Sequence, residues 1–225
     1  MEHILDSPAW HALNSGNKNL SLGDDRVKYF DREVSPFAAM RENTSANFSL
    51  LYDMLPDGST ALFMTPAEID IPGPWNIAAA VKAIQMVCDN PPVTGNQWSS
   101  LVPLTYEHVP QMLELTKLTN PGPFSSKTIE FGHYRGVFDG DRLVAMAGQR
   151  LHAYNYAEVS AVCTHPNHTG KGYARQLLLF QANRIREASD IPYLHVRANN
   201  DRAIKVYESL GFVKSRDMYF YVLKK

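Results

Sequence analysis

The sequence predicts a mixed α/β fold, and three observations support this prediction. Two apolar runs flank Asp139-Gly140-Asp141, which is typical of a β-hairpin. Residues 157–165 have the pattern of a strand, and a glycine-containing turn connects them to an amphipathic helix that begins near Gly172. Residues 193–198 read as another strand, followed by a second helix. Because strands and helices do not alternate regularly, we expect a mixed sheet rather than a regular doubly wound one.

Length and composition indicate a soluble protein with a sizeable core. The chain has 225 residues, 44% of them hydrophobic, and 22 basic against 23 acidic residues give a formal net charge of −1. Since no long basic run is present, we expect no nucleic-acid partner. We also expect no membrane span, because no apolar run approaches roughly 18 residues, and no signal peptide. Only two cysteines, Cys88 and Cys163, are present, which favours reduced thiols and a cytoplasmic protein.

A linker-like segment divides the chain into two predicted regions. Residues 89–100 contain Pro91-Pro92, Gly95 and several small polar residues. We therefore place a boundary near residue 98, between an α/β region of unknown role (residues 1–98) and a second domain (residues 99–225).

The first region carries no recognisable catalytic motif. Residues 49–57 resemble a short helix that stops before Pro56, and residues 60–64 resemble a strand. Residues 75–89 combine a helical opening with a strand over residues 84–87. A few residues are possible contributors to a site, although packing or turn roles are favoured for each: Trp10, His11, Asp31 and Ser35-Pro36-Phe37.

The second region has clearer elements. Residues 101–105 read as a strand, and Thr105 is a candidate cap for a helix that holds Pro110 in its first turn. Residues 120–132 read as a loop with a short helix. The last residues, 212–225, read as two short strands.

The turn between residues 165 and 174 has the chemistry of an anion site. A glycine-rich turn that leads into a helix exposes free backbone N–H groups, and the helix dipole adds partial positive charge. Phosphate fits such a site. Gly170 and Gly172 allow a ligand to approach the backbone, and Lys171 adds charge.

Other known ligand-binding patterns do not match the turn. The P-loop pattern fails because Gly172 follows Lys171 and His165 stands where its first glycine belongs. The dinucleotide fingerprint fails because Arg175 and Gln176 occupy the region where a third glycine is needed. His165 and His168 are three residues apart, but no further ligand has suitable spacing, so zinc is disfavoured and we expect no metal. The turn alone leaves both an anion site and a simple chain reversal open.

The flanking residues resemble the GNAT superfamily of acyl-CoA-dependent N-acyltransferases. The similarity covers roughly residues 100–225, and its closing part looks most like the branch that includes glycine N-acyltransferases. Two motifs carry the resemblance, about 30 residues apart. The first is Thr164-His165-Pro166 with Thr169-Gly170-Lys171-Gly172-Tyr173-Ala174, and the second is Asn200, Ala203, Tyr207, Gly211 and Phe212.

The resemblance implies a GNAT fold, acetyl-CoA or another acyl-CoA as co-substrate, and a set of binding residues. The pyrophosphate is expected on the backbone amides of the turn, and the pantetheine arm beside the preceding strand. Asn200 is expected to cap a helix and to lie near that arm. Ala203 is also expected to bind the cofactor. The expected cofactor-binding residues are Val162, Cys163, Thr164, Thr169, Gly170, Lys171, Gly172, Tyr173, Ala174, Asn200 and Ala203.

Thr169 departs from the family pattern, which usually has arginine or glutamine at that position. Because that side chain helps to grip the pyrophosphate, we expect binding to depend more on backbone N–H groups and Lys171.

Two catalytic residues are implied by the resemblance. Tyr207 matches the residue that donates a proton to the leaving thiolate; alternatively, it belongs to an apolar stripe with Ala203 and Leu210. Glu158 is the candidate base for the amine; alternatively, it is a solvent-facing carboxylate at a strand end. Two-residue alternation would place Glu158 on one strand face with Val162, and Cys163 on the other, in the core. A buried Cys163 favours direct transfer over a covalent acyl-enzyme.

The sequence thus predicts an N-acetyltransferase that transfers an acetyl group directly to a primary amine. The alternative is a non-catalytic module that binds acyl-CoA. The acceptor, a small molecule or a peptide amine, is not readable, although the loops over residues 120–134 and 151–158 are expected to shape its pocket. Residues 1–98 are a candidate degenerate half of the same fold, with a role in that pocket or in a homodimer.

Overall fold

The computed structural model describes residues 3–92 and 100–225. Its α-helices are α1 (Pro8–Asn14), α2 (Ser45–Met54), α3 (Val109–Thr119), α4 (Tyr173–Glu187) and α5 (Asp201–Glu208). Its strands are β1 (Ser21–Gly23), β2 (Val27–Phe30), β3 (Ala38–Met40), β4 (Thr60–Thr65), β5 (Asn76–Val87), β6 (Val102–Pro103), β7 (Arg135–Asp139), β8 (Arg142–Ala153), β9 (Tyr156–Thr164), β10 (Ile191–Arg197) and β11 (Val213–Lys224).

Two sheets organise the described residues. A small sheet has the order β1-β2-β3, and an eight-stranded sheet has the order β4-β11-β5-β10-β9-β8-β7-β6. Strands β9 and β10 are parallel, whereas the other neighbours in the large sheet are antiparallel. The predicted mixed α/β sheet is therefore confirmed.

Helices cover both faces of the large sheet. Helices α4 and α5 pack on one face, where Leu178 and Ile185 share a buried cluster with Leu194 of β10. Helix α1 packs on the opposite face, where Leu13 shares a cluster with Tyr193. Because neighbouring residues of a strand point to opposite faces, Leu194 and Tyr193 mark these two sides.

Several predicted elements are confirmed. Gly140, with a φ of 58°, closes the hairpin between β7 and β8. Gly172, with a φ of 81°, precedes the first residue of α4, and Asn200 caps α5 by accepting from the N–H of Ala203 at 3.2 Å. Thr105 begins a short 3₁₀ turn that leads into α3, and Pro110 lies in the first turn of that helix.

The strand predicted over residues 84–87 is confirmed, but the helical opening predicted before it was wrong, because residues 76–87 form one continuous strand. The run Ala78-Ala79-Ala80 favours a helix by local propensity, but β5 pairs with β11 from Asn76 to Val87. Residues 212–225 were likewise expected to form two short strands. They form the single strand β11, in which a register irregularity between Lys214 and Arg216 interrupts the pairing.

The predicted boundary near residue 98 lies outside the described residues and stays a prediction. Both sides of it contribute to the large sheet, since β4 and β5 precede it and β6 to β11 follow it. In the described parts of the chain, no helix is long and apolar enough to cross a membrane.

Candidate active site

Strands β9 and β10 part after a short paired stretch. Their pairs run from Tyr156 and Ile191 to Glu158 and Tyr193, and within the described residues they make no pair beyond these. Past this point the facing edges of the two strands have backbone N–H and C=O groups that an extended ligand can bind.

Thr164 directs its backbone groups into this gap. The N–H of His165 donates to the Val144 carbonyl in β8 at 2.7 Å, so the backbone of the preceding residue points away from β8. The Thr164 hydroxyl is buried and has no partner within the described residues. Val162, two residues earlier, has the same backbone orientation. These positions fit the predicted contact with a pantetheine arm.

A bulge in β9 overturns the predicted alternation of its side chains. Ala161 has a φ of 52°, and between the pairs Ser160–Gly148 and Cys163–Met146 two residues of β9 oppose one of β8. Val162 consequently packs on the α4 side with Val159, whereas Glu158 points to the other side. The expectation that Glu158 and Val162 share a face was therefore wrong.

The turn before α4 is open to a ligand. Gly170 and Gly172 both have a φ of 81°, and a Cβ at either position would meet no atom within 4 Å. Among the described residues, the N–H groups of residues 170–175 donate to no backbone carbonyl, and the first such bond runs from Gln176 to Gly172 at 3.0 Å. Free N–H groups at a helix start form an anion site, so the turn fits a pyrophosphate.

Thr169 and His168 hold the turn in place. The Thr169 hydroxyl donates to the Pro166 carbonyl at 3.1 Å, so its hydrogen is already engaged. His168 Nε2 lies 2.9 Å from a carboxylate oxygen of Asp139, and this contact lowers the pKa of Asp139. These contacts agree with the expectation that Thr169 contributes less to an anion than the backbone and the exposed Lys171 do.

The two turn histidines do not assemble a metal site in the described chain. His165 Nε2 lies 3.1 Å from the Arg142 guanidinium, and His168 faces Asp139. No group of three histidine, cysteine or acidic side chains that could hold a metal occurs among the described residues.

Tyr207 packs in the core, and its role as proton donor stays a prediction. Its ring packs in the apolar cluster beneath α4 and α5, at 6.2 Å from the Phe212 ring. Burial raises its pKa to about 12, so the phenol stays protonated at neutral pH. Within the described residues its hydroxyl has no hydrogen-bond partner, and Val162 packs against the same cluster. A protonated, unengaged phenol beside the gap can donate a proton.

Cys163 is a core residue, as predicted. It is buried in the cluster that α3 covers, and burial raises its pKa to about 12. A neutral thiol is a poor nucleophile, which favours direct transfer.

Sequence reasoning missed a buried polar network at the closed end of the gap. Glu158 is completely buried, so its reading as a solvent-facing carboxylate was wrong. Arg150 donates to both of its oxygens, from Nε at 2.9 Å and from Nη2 at 2.6 Å. His195 Nδ1 lies 2.7 Å from Oε1. Arg150 and His195 are polar residues within otherwise apolar strands. Because buried charges need partners, their presence there could have indicated this network.

The network makes Glu158 a weak proton acceptor. Burial alone would raise its pKa, but the Arg150 charge and the His195 contact outweigh it and lower the pKa to about 2. The assignment of Glu158 as the base stays a prediction, and this environment disfavours a direct role.

A cavity of about 370 Å³ lies between the first region and the loop that precedes β7. Its walls are residues 58–60 and 123–125, with Arg32 and Pro36. The Phe37 ring, next to Pro36, lies 4.6 Å from the Arg150 guanidinium carbon. The first region and the predicted loop over residues 120–132 therefore meet here. Among the earlier candidates in the first region, Phe37 contacts the network directly through Arg150.

Comparisons with known proteins agree with these features. A family model described as FR47-like protein matches residues 134–221. N-alpha-acetyltransferase RimI of Mycobacterium tuberculosis is 36% identical over 84 residues, which cover 36% of this chain and 51% of that protein. The chain thus matches about half the length of this curated relative.

Two solved structures match over nearly the full length. A protein from Kribbella flavida described as a GCN5-related N-acetyltransferase is 12% identical, with 96% and 95% coverage and a TM-score of 0.61, and shows the fold alone. A protein from Novosphingobium aromaticivorans DSM 12444 is described as an acetyltransferase of the GNAT family. It is 33% identical, with a TM-score of 0.92 over 100% of this chain and 99% of that one.

The narrower resemblance to glycine N-acyltransferases stays a prediction. The two sequence motifs, the parted strands β9 and β10, and a full-length relative at 33% identity agree on one assignment. The chain belongs to the GNAT family of acetyltransferases.

Proposed function

We propose that the chain transfers an acetyl group from acetyl-CoA directly to a primary amine. The observation that carries this proposal is a path of three features: the open turn at Gly170 and Gly172, the edge of β9 that leaves β10, and Tyr207, which packs against the same cluster as Val162 of that edge. The path offers an anion site, backbone partners for an extended arm and a proton donor, in that order.

The residues of this path have distinct roles. The N–H groups of residues 170–175 and Lys171 bind the pyrophosphate, and Val162 and Thr164 bind the arm through their backbones. Acetyl-CoA supplies a thioester, which an amine can attack without a covalent enzyme intermediate. Tyr207 donates its proton to the thiolate that leaves.

The acceptor amine reaches the gap from the face opposite α4. Apolar side chains pack around Tyr207 on the α4 side of the sheet. The cavity of about 370 Å³ includes Pro36, whose neighbour Phe37 contacts Arg150. Its volume lies within the range of small-ligand sites, roughly 300 to 1,000 Å³. The relative whose name specifies N-alpha-acetylation supports an amine as the acceptor.

Release of free CoA thiol tests this function. The purified protein is incubated with acetyl-CoA and a panel of small amines, amino acids and peptides, and thiol is measured with a chromogenic reagent. We expect release that depends on one class of amine. Binding of CoA without release by any amine would favour a non-catalytic module instead.

A further inference from the structure

We propose that the cavity between the first region and the loop before β7 binds an acceptor amine that carries a carboxylate, with Arg32 as the ion-pair partner of that carboxylate. This inference rests on the proposed function and names the class of acceptor for it. It also gives residues 1–98 a specific role in the acceptor pocket, because Arg32 lies in that region.

Hydrogen-bonding groups line the cavity from three segments of the chain. Arg32 lies in the turn after β2, Ser59 and Thr60 lie where β4 begins, and Ser125 lies in the loop after α3. Within the part of the chain that the structure describes, the Arg32 guanidinium and these three hydroxyls have no hydrogen-bond or ion-pair partner. The other side chains that line the cavity are apolar: Pro36, Pro123 and Phe124. The cavity therefore offers one cation, three hydroxyls and an apolar wall to a ligand.

The three segments are held in place by hydrogen bonds between them. The Thr128 hydroxyl donates to the Val34 carbonyl at 2.7 Å, which connects the loop to the turn after β2. The N–H of Leu62 donates to the Pro36 carbonyl at 2.7 Å, which connects β4 to the same turn. Because a preformed cavity binds a ligand without the cost of ordering its walls, these bonds favour a binding site.

The charges around the cavity leave Arg32 uncompensated. Glu33 forms an ion pair with Lys127 at 2.7 Å, and Asp57 forms one with Lys225 at 3.4 Å, so each of these acidic groups is balanced by a cation of its own. The carboxylate of Asp31 accepts from the N–H of Glu33 at 2.8 Å and makes no ion pair with Arg32. An anionic ligand would therefore find a free cation at this wall.

A carboxylate is the anion that best matches a single arginine. The guanidinium has two parallel N–H groups that fit the two oxygens of a carboxylate. One cation balances the single charge of a carboxylate, whereas a phosphate monoester carries roughly −1.5 to −2 and would keep an excess of negative charge. The three hydroxyls can donate to the same oxygens.

Two contacts connect the cavity with the network at the closed end of the gap. Phe37 and Gly122 each adjoin a proline that lines the cavity. The Phe37 ring lies 4.6 Å from the guanidinium carbon of Arg150, and a Cβ at Gly122 would lie 3.9 Å from Nη1 of the same residue. Arg150 binds Glu158, which belongs to the last pair before β9 and β10 separate. An acceptor that is anchored by Arg32 can thus extend toward the gap.

Acceptor pairs that differ only in charge test this specificity. The full chain is assayed with acetyl-CoA and with amino acids and short peptides, each as the free acid and as the carboxamide. The ratio of kcat/KM for acid and amide is compared between wild type and Arg32→Gln, so that the intrinsic reactivity of each amine cancels. We expect this ratio to fall by about tenfold or more in the variant, because a hydrogen bond to a charged group is stronger than one to a neutral group.

The loss should appear in the KM of the acid, with an unchanged KM for acetyl-CoA. Arg26→Gln is the matched control, because Arg26 is an exposed arginine of the same region that pairs with Asp24 at 3.7 Å and does not line the cavity. This control should keep the wild-type ratio. An Arg32→Gln protein that also keeps the wild-type ratio overturns the proposal.

A second measurement does not depend on turnover. Proton–nitrogen NMR at slightly acidic pH follows the Nε–H signal of Arg32, which is assigned by its loss in Arg32→Gln. We expect N-acetyl amino acids at millimolar concentration to shift this signal with saturation, and the matched carboxamides to leave it in place. The absence of a saturable shift with every acid overturns the proposal even if the protein acetylates amines. If the acids bind at Arg32 while no amine is acetylated, the proposed function fails and the carboxylate site stands.

Discussion

Arg150 and Glu158 form a bidentate ion pair. Glu158 belongs to the last paired position before β9 and β10 separate. Nη2 of Arg150 lies 2.6 Å from Oε1, and Nε lies 2.9 Å from Oε2. The Glu158 side chain is fully buried and that of Arg150 is 11% exposed. Each charge in such a pair is stabilised mainly by the other, because burial removes most of the stabilisation by water.

Removal of one partner should destabilise the fold strongly. We expect Glu158→Leu to lower the free energy of unfolding by about 3 to 5 kcal/mol, since it leaves the Arg150 charge buried and unpaired. Urea denaturation measures the change. The double variant Arg150→Met/Glu158→Leu should recover much of the loss, and Asp217→Asn in the exposed Lys214–Asp217 pair should cost no more than about 1 kcal/mol. Equal losses in the single and double variants would contradict this account.

The ion pair should also make the free energy of unfolding depend on pH in the acid range. Glu158 has a folded-state pKa of about 2, below the ordinary value of 4.5. A depressed carboxylate pKa stabilises the fold fully above the unfolded-state value, and this contribution is lost as pH falls through the folded-state value. The stability difference between wild type and the double variant should therefore shift against wild type between about pH 4.5 and pH 2. A difference that stays constant over this range would show that Glu158 does not titrate as described.

A negative charge at Gly172 should abolish CoA binding. The position has a φ of 81° and open space where a side chain would lie, so Gly172→Asp would place a carboxylate against the pyrophosphate. We expect a loss of at least about 100-fold in affinity by calorimetry, or roughly 2.7 kcal/mol. Gly140→Asp is the control, because Gly140 also has a positive φ, 58°, and open space, but closes the β7–β8 hairpin. Similar losses in both variants would indicate backbone strain instead of a ligand contact.

Loss of the Tyr207 hydroxyl should affect turnover more than binding. We expect Tyr207→Phe to reduce kcat by about 10²-fold or more, with little change in the affinity for CoA, because the ring still fills the cluster around Phe212. Steady-state kinetics and calorimetry together separate these effects. Tyr52→Phe, in the separate cluster around Trp75, should leave both unchanged. A wild-type kcat in Tyr207→Phe would remove this residue from the acid role.

The cavity should determine how well the acceptor binds. Phe124 lines it from one side, and its ring packs at 5.8 Å from the Tyr134 ring. Phe124→Ala should raise the KM of the acceptor by at least about fivefold, equivalent to ~1 kcal/mol, and leave the KM of acetyl-CoA unchanged. Leu22→Ala, at an exposed position of β1, is the control. An unchanged acceptor KM would place the acceptor elsewhere.

Local sequence signals predicted those parts of the site whose structure depends on residues that are adjacent in sequence. The glycines of the turn, the cap at Asn200 and the hairpin at Gly140 each act through their own backbone geometry, so their roles could be read from a short segment. The resemblance then connected the turn to Tyr207.

The remaining features depend on long-range pairing. Strand β5 has helix-favouring alanines, and its pairing with β11 and β10, which are distant in sequence, makes it a strand. The network joins Arg150, Glu158 and His195 from three strands that become neighbours in the folded sheet. The bulge at Ala161 changes which face of the sheet the following side chains of β9 point to. No residue pattern in that strand predicts the bulge.

Transfer of a labelled acetyl group tests the central claim most directly. Acetyl-CoA carrying isotopic carbon in its acetyl group is incubated with the protein and the amine that promotes thiol release, and mass spectrometry follows the label. The account predicts that the label appears on the amine nitrogen in an amount equal to the CoA released, with none on the protein. Label that stays on CoA while CoA binds at the turn, or that accumulates on Cys163 or another protein residue, would contradict direct transfer by this site.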